Sequence, residues 1–363
     1  MKRLFLTATV LALLSSIHLH AQNTVCFNIV ANPNASDPAL GLFTKYVDVF
    51  GCGIYAESSV SDEKVLHAAA VWAELIDNNE DGIVDDPALL AELQSKQALM
   101  PIFQTDGNAA MISFMNNYNG DGVSAVLWQS EIDPSQTGHW GADASVEEIL
   151  HTINGVGHVN VYPNAFDLAP NSSLLSAAMD VARGGQFMNV PASYPAAAWY
   201  HYDDGTCDYE CMAIEYLYWM IVSNMGILDD AATCLGIANE WEPCTQALLQ
   251  STDLLGYALI TDPAYKLPQN APDGNYCPSG LGVDALDQGA SFSIYPNPAT
   301  QNTVTVKLEK KSTNEVINIR DIFGKIVASE VVSSQSEQIN IRGLSSGIYF
   351  VTCGGANTKL IVE

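Results

Sequence analysis

C-M-A-I-E-Y-L-Y-W-M-I-V, from Cys211 to Val222, is apolar on every side except at Glu215. A run of this length reads as a helix, and apolarity all round reads as a helix buried all round. Such a helix belongs at the centre of a body built mainly from other helices. Its one carboxylate cannot stay unpaired there, because burying an isolated charge costs several kcal/mol, roughly. It needs a cation, a cluster of donors or a proton. Tyr216 and Tyr218, one and three residues on, point elsewhere or only graze its face.

Working outward, the stretch best placed to supply a partner is S-V-E-E-I-L-H-T-I-N-G-V-G-H, Ser145 to His158. Glu147 and His151 stand four residues apart, so on a helix they share one face, which is a ligand spacing. Glu148 sits beside them. Ser145 with Glu148 also makes a capping box, and Asn154-Gly155 a helix stop, so both glutamates equally suit a short helix whose dipole favours them.

Glu147-Glu148-Ile149-Leu150-His151 resembles the H-E-x-x-H helix of zincin metallopeptidases, with glutamate in place of the first histidine. The resemblance implies Glu147 and His151 as zinc (Zn2+) ligands and Glu148 as the general base. Glu215, supplied from a later helix as in gluzincins, would be the third ligand. His158 lies one residue beyond the third-ligand position of the extended metzincin pattern and ranks behind Glu215 as a metal ligand.

The N-terminus has Lys2 and Arg3, then an apolar run, then H-L-H-A before Gln22, which reads as a secretory signal peptide over residues 1–21. No later run has the length and apolarity of a transmembrane segment. Residues 22–291 hold five Lys/Arg against thirty-five Asp/Glu, whereas residues 292–363 hold seven against six. The body therefore carries a formal charge near minus thirty and the tail is almost neutral. Such a body repels nucleic acid and anionic lipid and favours cations. Eight cysteines in an exported chain read first as disulfides. The expected pairs are Cys26 with Cys52 and Cys234 with Cys244, with Cys353 a thiol in the tail.

Between two helical segments runs D-N-N-E-D-G-I-V-D-D. It resembles an EF-hand calcium loop: Asp77, Asn79, Asp81 and Asp85 fall at positions 1, 3, 5 and 9, Gly82 at the tight turn, and Ile83 offers its carbonyl. Ala88 replaces the bidentate glutamate of position 12. The resemblance implies a structural calcium ion (Ca2+) joining two helices. Asp86-Pro87 opens the second of these with a cap and a first-turn proline.

Further helices are expected over residues 107–117, over Asn171 to Arg183 and, twice, over Cys234 to Tyr257. The aromatic, acidic segment before Cys211, with Trp199, Tyr200, His201 and Tyr202, suits a cleft wall as well as core packing. From Tyr265 to Leu286 the composition is that of a linker, rich in Pro, Asn, Asp and Gly. Beyond it, runs of period two at 304–308, 316–327 and 339–351 and a closing K-L-I-V-E, separated by Gly and Ser turns, require a small β-sandwich.

Together with S-I-Y-P-N-P-A-T, Ser293 to Thr300, these runs resemble the type A C-terminal sorting domain of the type IX secretion system. That implies an Ig-like fold, contact with the type IX machinery, passage through the outer membrane, and release or surface attachment. The expected organisation is multidomain: signal peptide 1–21, a mainly α-helical (α+β) body 22–264, a linker 265–291 and an all-β Ig-like sandwich 292–363. Two readings of the body follow. One is a metal-dependent, peptidase-like hydrolase stabilised by calcium and acting on an extracellular polypeptide or glycan. The other is a non-enzymatic calcium-binding surface protein. Glycoside hydrolysis by Glu148 and Glu215 is a third possibility.

Overall fold

Short polar side chains start the helices of the body. Ser61 Oγ accepts from Lys64 N, Asp86 accepts from Ala88 N with Pro87 at the first position, and Asp208 accepts from Cys211 N. Each satisfies a backbone donor that the first turn leaves over. The computed structural model describes residues 27–278, 292–308, 315–321, 325–332, 334–353 and 356–363. The expected signal peptide and Cys26 lie outside these. The chain divides into two units, Met1–Cys277 and Pro278–Glu363.

The first unit opens with β1 (Val30–Ala31), β2 (Lys45–Val49) and β3 (Cys52–Ala56), followed by α1 (Asp62–Ile76), α2 (Pro87–Ser95), β4 (Leu99–Phe103), α3 (Ala109–Asn117) and β5 (Leu127–Trp128). The strands form one sheet in the order β1-β2-β3-β4-β5. The first three pair antiparallel and the last three parallel. Then come α4 (Ser145–Thr152), a wide π-helical stretch Ile153–His158, α5 (Val159–Val161), α6 (Pro163–Phe166), α7 (Leu174–Ala182), α8 (Tyr209–Asn224), α9 (Ala231–Ile237), α10 (Gln246–Thr252) and α11 (Leu254–Ile260). One large apolar core runs from the sheet through α1 and α4 to α8. The body is thus mainly helical with a mixed sheet.

Asn154-Gly155, expected to stop the helix after His151, does not stop it, and Gly157 lies within the same helical path. A Cβ on Gly157 would lie 2.4 Å from Leu89 Cδ1, and one on Gly155 would lie 2.7 Å from Ser124 Oγ. They are there for close approach to α2 and a neighbouring loop, and the helical path continues through Val161. The capping box is absent too. Ser145 Oγ donates to Asp143 Oδ2 at 2.6 Å, beside His67 Nε2, and so is not free to cap.

The stretch expected as the start of a linker packs on the body. Gln269 N and Asn270 N donate to Asn78 Oδ1, Asp273 N and Gly274 N donate to Glu74 Oε2, and Tyr276 Oη donates to Asp77 Oδ2 at 2.5 Å. This strap takes its hydrogen bonds from residues almost two hundred positions earlier in the chain. Of the expected disulfides, Cys234–Cys244 is formed, and Cys207–Cys211 joins it. Cys52 is free: it is fully buried in β3 and serves as a core residue, which overturns its expected pairing with Cys26.

In the second unit β6 (Phe292–Tyr295), β7 (Thr303–Leu308) and β10 (Ser336–Asn340) form a three-stranded sheet. β8 (Glu315–Arg320), β9 (Ile326–Val332), β11 (Gly347–Cys353) and β12 (Ala356–Val362) form a four-stranded one. The single run expected over 316–327 is a hairpin, since Lys325 N donates to Asp321 Oδ1 and β8 pairs antiparallel with β9. Val304 and Val306 of one sheet share a core with Ile317, Ile319, Val351 and Leu360 of the other. Alternate residues turned inward from two sheets make this a β-sandwich.

Candidate metal centre

Helices α4 and α8 pack against each other, and the contact brings Glu147, His151 and Glu215 together. One ligand atom from each lies within 4.8 Å of the other two. Among the described residues this is the one such group of three or more acidic, imidazole or thiol side chains. His151 Nε2 stands 3.3 Å from Glu215 Oε2. It is buried, and Glu215 is its ion-pair partner, although the approach lacks the geometry of a good hydrogen bond. On the other side of the ring, His151 Nδ1 is 3.7 Å from Glu148 Oε2.

The two tyrosines that Glu215 could not use serve other carboxylates. Tyr218 hydrogen-bonds Glu147, and its ring lies 5.6 Å from that of His151. Tyr216 Oη donates to Asp253 Oδ2 at 2.5 Å. Glu215 is hydrogen-bonded by Tyr202, from the aromatic segment before α8. Periodicity could not have found Tyr202, because it reaches Glu215 across a loop. Trp219 Nε1 donates to Glu240 Oε1 at 3.0 Å, so a fourth acid lies close by.

The electrostatics reflect crowding of negative charge around one imidazole. Burial pushes the Glu147 carboxyl up to about 7, and its neighbours Glu148 and Glu215 push the same way against His151. Burial pushes the His151 ring down, but the charge on Glu215 and its contact with Glu148 outweigh that and hold it well above the ordinary range. Two carboxylates with one imidazole, Glu147, Glu215 and His151, are a donor set for a cation. The residues present therefore fit a divalent metal ion, and His151 Nε2 is the atom that a bound ion would satisfy.

His158 does not join the group. It lies in the π-helical stretch, 5.8 Å from the Phe166 ring and 6.4 Å from the Tyr162 ring, on the side facing Asp86. Its burial among these rings holds the imidazole down at about 4. The wide helical turn carries it away from His151, which removes it from the ligand set. Asp180 of α7 is committed to Arg183 Nη2 at 3.0 Å and to Tyr209 Oη.

In the Asp77–Asp85 loop, Asp77 Oδ2 accepts from Gly82 N, Asn79 Oδ1 from Asp81 N, and Asp81 Oδ1 from Ile83 N. Asp85 accepts from Asn78 N and Asn79 Nδ2. Gly82 has φ +86°, as the turn needs. The side chains wrap the loop through its own backbone, while Asp77, Asp81 and Asp85 do not close into a second metal-sized group among the described residues.

Glu131 provides a pH test of the surroundings. Burial pushes its carboxyl up to about 7 against donation from Trp128 N, with Glu148 and Asp143 adding to the rise. A raised carboxyl binds its proton more tightly in the folded state. Its contribution is full below the unfolded value near 4.5 and is lost as pH rises through about 7. The wild-type chain should therefore lose urea resistance across that window more steeply than a Glu131→Gln variant. Parallel curves for the two would remove Glu131 from the account.

With the geometry in place, comparison with known proteins identifies the second unit. Residues 293–363 match the family described as "Secretion system C-terminal sorting domain". This stretch is a sorting domain of the type IX system, which exports proteins to the cell surface or beyond it. The chain is 37% identical over 85 residues to Beta-agarase A of Zobellia galactanivorans, a match covering 23% of this chain and 15% of the agarase. An immunoglobulin-like β-sandwich of the DUF3244 family from Bacteroides vulgatus covers 20% of this chain at 16% identity with a TM-score of 0.17. No helix among the described residues is long and apolar enough to cross a membrane.

Proposed function

We propose that the exported body is a metal-dependent hydrolase of peptidase type, in which Glu147, His151 and Glu215 hold one divalent ion, zinc for preference. The observation that supports this is the convergence of Glu147, His151 and Glu215, with one ligand atom of each within 4.8 Å of the others and the buried His151 Nε2 lacking a well-formed hydrogen bond. When bound, the ion supplies Lewis acidity and a water whose pKa falls toward ~7. Tyr218 and Tyr202 donate to Glu147 and Glu215 and so fix the orientation of both carboxylates. Glu148, with its side chain 22% exposed against 16% for Glu215, is open to a reactant. It takes a proton from the attacking water and returns it to the leaving amine.

Hydrolysis of an unfolded protein substrate, followed with and without chelator, tests this reading. A Glu148→Gln variant should keep its metal and lose roughly 10²–10⁴ in rate, the usual worth of a positioned base. Full activity in that variant, or activity indifferent to chelator, would falsify the assignment.

A second reading, a calcium-stabilised surface protein without chemistry, is favoured by one observation, the wrapped loop at Asp77–Asp85. A calcium ion there would raise the unfolding midpoint in a saturable way, by roughly 2.7 kcal/mol at a hundred times Kd. Asp77→Ala would abolish the shift. A calcium ion in this loop is compatible with either reading, whereas the chemistry separates them, and each site has its own measurement.

A further inference from the structure

We propose that the body carries a separate binding site for a neutral oligosaccharide in the cavity between β2, the C-terminal end of α2 and the loop after α3. The cavity has a volume of about 530 Å³, enough for two or three sugar rings. None of its walls comes from the Glu147–His151–Glu215 group.

The lining chemistry selects the ligand class. Three tyrosines, Tyr46, Tyr55 and Tyr118, supply ring surface, and the remaining polar side chains are amides apart from one carboxylate, Asp37. No lysine, arginine or histidine lines the cavity, which excludes an anionic ligand. Asp37 is the one carboxylate, and its Oδ1 accepts from Ala39 N at 2.7 Å and Leu40 N at 3.2 Å; a single carboxylate is a poor donor set for a cation. An apolar ligand would strip water from the amides without replacing their hydrogen bonds.

The amides are set as acceptors. Asn34 Nδ2 donates to Tyr55 Oη at 2.7 Å, Gln94 Nε2 to Phe50 O at 2.8 Å, and Asn119 Nδ2 to Asn117 O at 3.0 Å. Each is held by its NH2 group and keeps its carbonyl oxygen for another donor. The Gln97 side chain makes no hydrogen bond among the described residues. A ligand for this wall must be rich in donors and uncharged, and must offer a flat face to aromatic rings. A chain of sugar hydroxyls meets all three conditions.

Two backbone features indicate a built cavity rather than an incidental gap. A Cβ on Gly53 would lie 2.5 Å from the Tyr55 ring and 3.1 Å from that of Tyr46, so only glycine lets both rings lie across the strand. Gln97 holds φ +55°, a left-handed conformation that a non-glycine residue adopts at a cost and that recurs at ligand clamps. Tyr118 is kept flat by Phe114, stacked at 4.7 Å.

Calorimetric titration of the full chain with soluble hexasaccharides tests the proposal. The probes are the β-1,4-linked glucose, mannose, xylose and N-acetylglucosamine series, with a heparin hexasaccharide as the anionic control. Saturable binding of at least one neutral probe, and none of heparin, is expected. Gln97→Gly accepts the left-handed backbone and so folds; with Asn119→Ala it should weaken binding about tenfold, one lost hydrogen-bond equivalent of ~1.4 kcal/mol. Tyr118→Ala should weaken it at least as much, while Glu215→Gln leaves it unchanged. The proposal is overturned by a full neutral panel with no Kd below about 1 mM. Wild-type affinity in the Gln97→Gly/Asn119→Ala variant, or preference for heparin, overturns it equally.

Discussion

Glu215→Gln is expected to strip the protein of its metal. Protein purified without added metal and dialysed should carry close to one equivalent of a divalent transition ion in the wild type and almost none in the variant, measured by elemental analysis. The size follows from burial. Glu215 projects from a helix whose other residues are largely core, and its Oε2 lies 3.3 Å from the buried Nε2 of His151. Removing one charge from a buried, paired set costs about 3–5 kcal/mol. At ~1.4 kcal/mol per decade, affinity should fall by about two to three and a half decades. His151→Ala should do the same, whereas Glu210→Gln, at an exposed position on the same helix, should not. A full equivalent of metal retained by Glu215→Gln would place the ion elsewhere.

Asp253→Ala should be the most damaging single change to the fold. Asp253 is 1% exposed and satisfies three donors: Tyr216 Oη at 2.5 Å and Trp199 Nε1 at 3.0 Å on Oδ2, and Gly256 N at 2.8 Å on Oδ1, where it caps α11. Alanine leaves all three without an acceptor in a dry region. At about 1–3 kcal/mol for each stranded donor the loss should exceed ~4 kcal/mol, a large share of a typical total stability of ~5–15 kcal/mol. Urea unfolding reads it as a lowered midpoint at unchanged slope. Asp253→Asn should fall between, because its NH2 faces donors. A loss under ~1 kcal/mol for the alanine variant would mean that water reaches these groups.

The sequence made the centre of the site legible for a simple reason. Spacing of four put Glu147 and His151 on one face, and a lone acid in an apolar helix demanded a counter-charge. These are local facts. The His151–Glu215 approach joins helices some sixty residues apart, yet the demand at one end and the supply at the other could be matched. Tyr202 could not be found, because its contact depends on a loop path. The mixed sheet was also hidden. Residues of β3 and β4 are buried on both faces, so C-G-I-Y-A and L-M-P-I-F show no alternation and look like any apolar run. His158 and Gly155 depart from expectation together. A stop at Gly155 and a ligand at His158 both assumed an ordinary helix end, where close contacts with Leu89 and Ser124 instead let the helix run on. The sorting sandwich was clear because strands with one dry face announce themselves by period two.

The strap at Gln269–Tyr276 sets where the tail can be trimmed. A maturation protease that cuts after Cys277 would leave the body with every hydrogen bond to Glu74, Asn78 and Asp77 in place. A cut even ten residues earlier would take away the donors that the strap gives to Glu74, Asn78 and the fully buried Asp77. The boundary between cargo and shipping label is therefore written in the cargo's own chain closure, and a correctly processed product should begin its loss no earlier than Cys277.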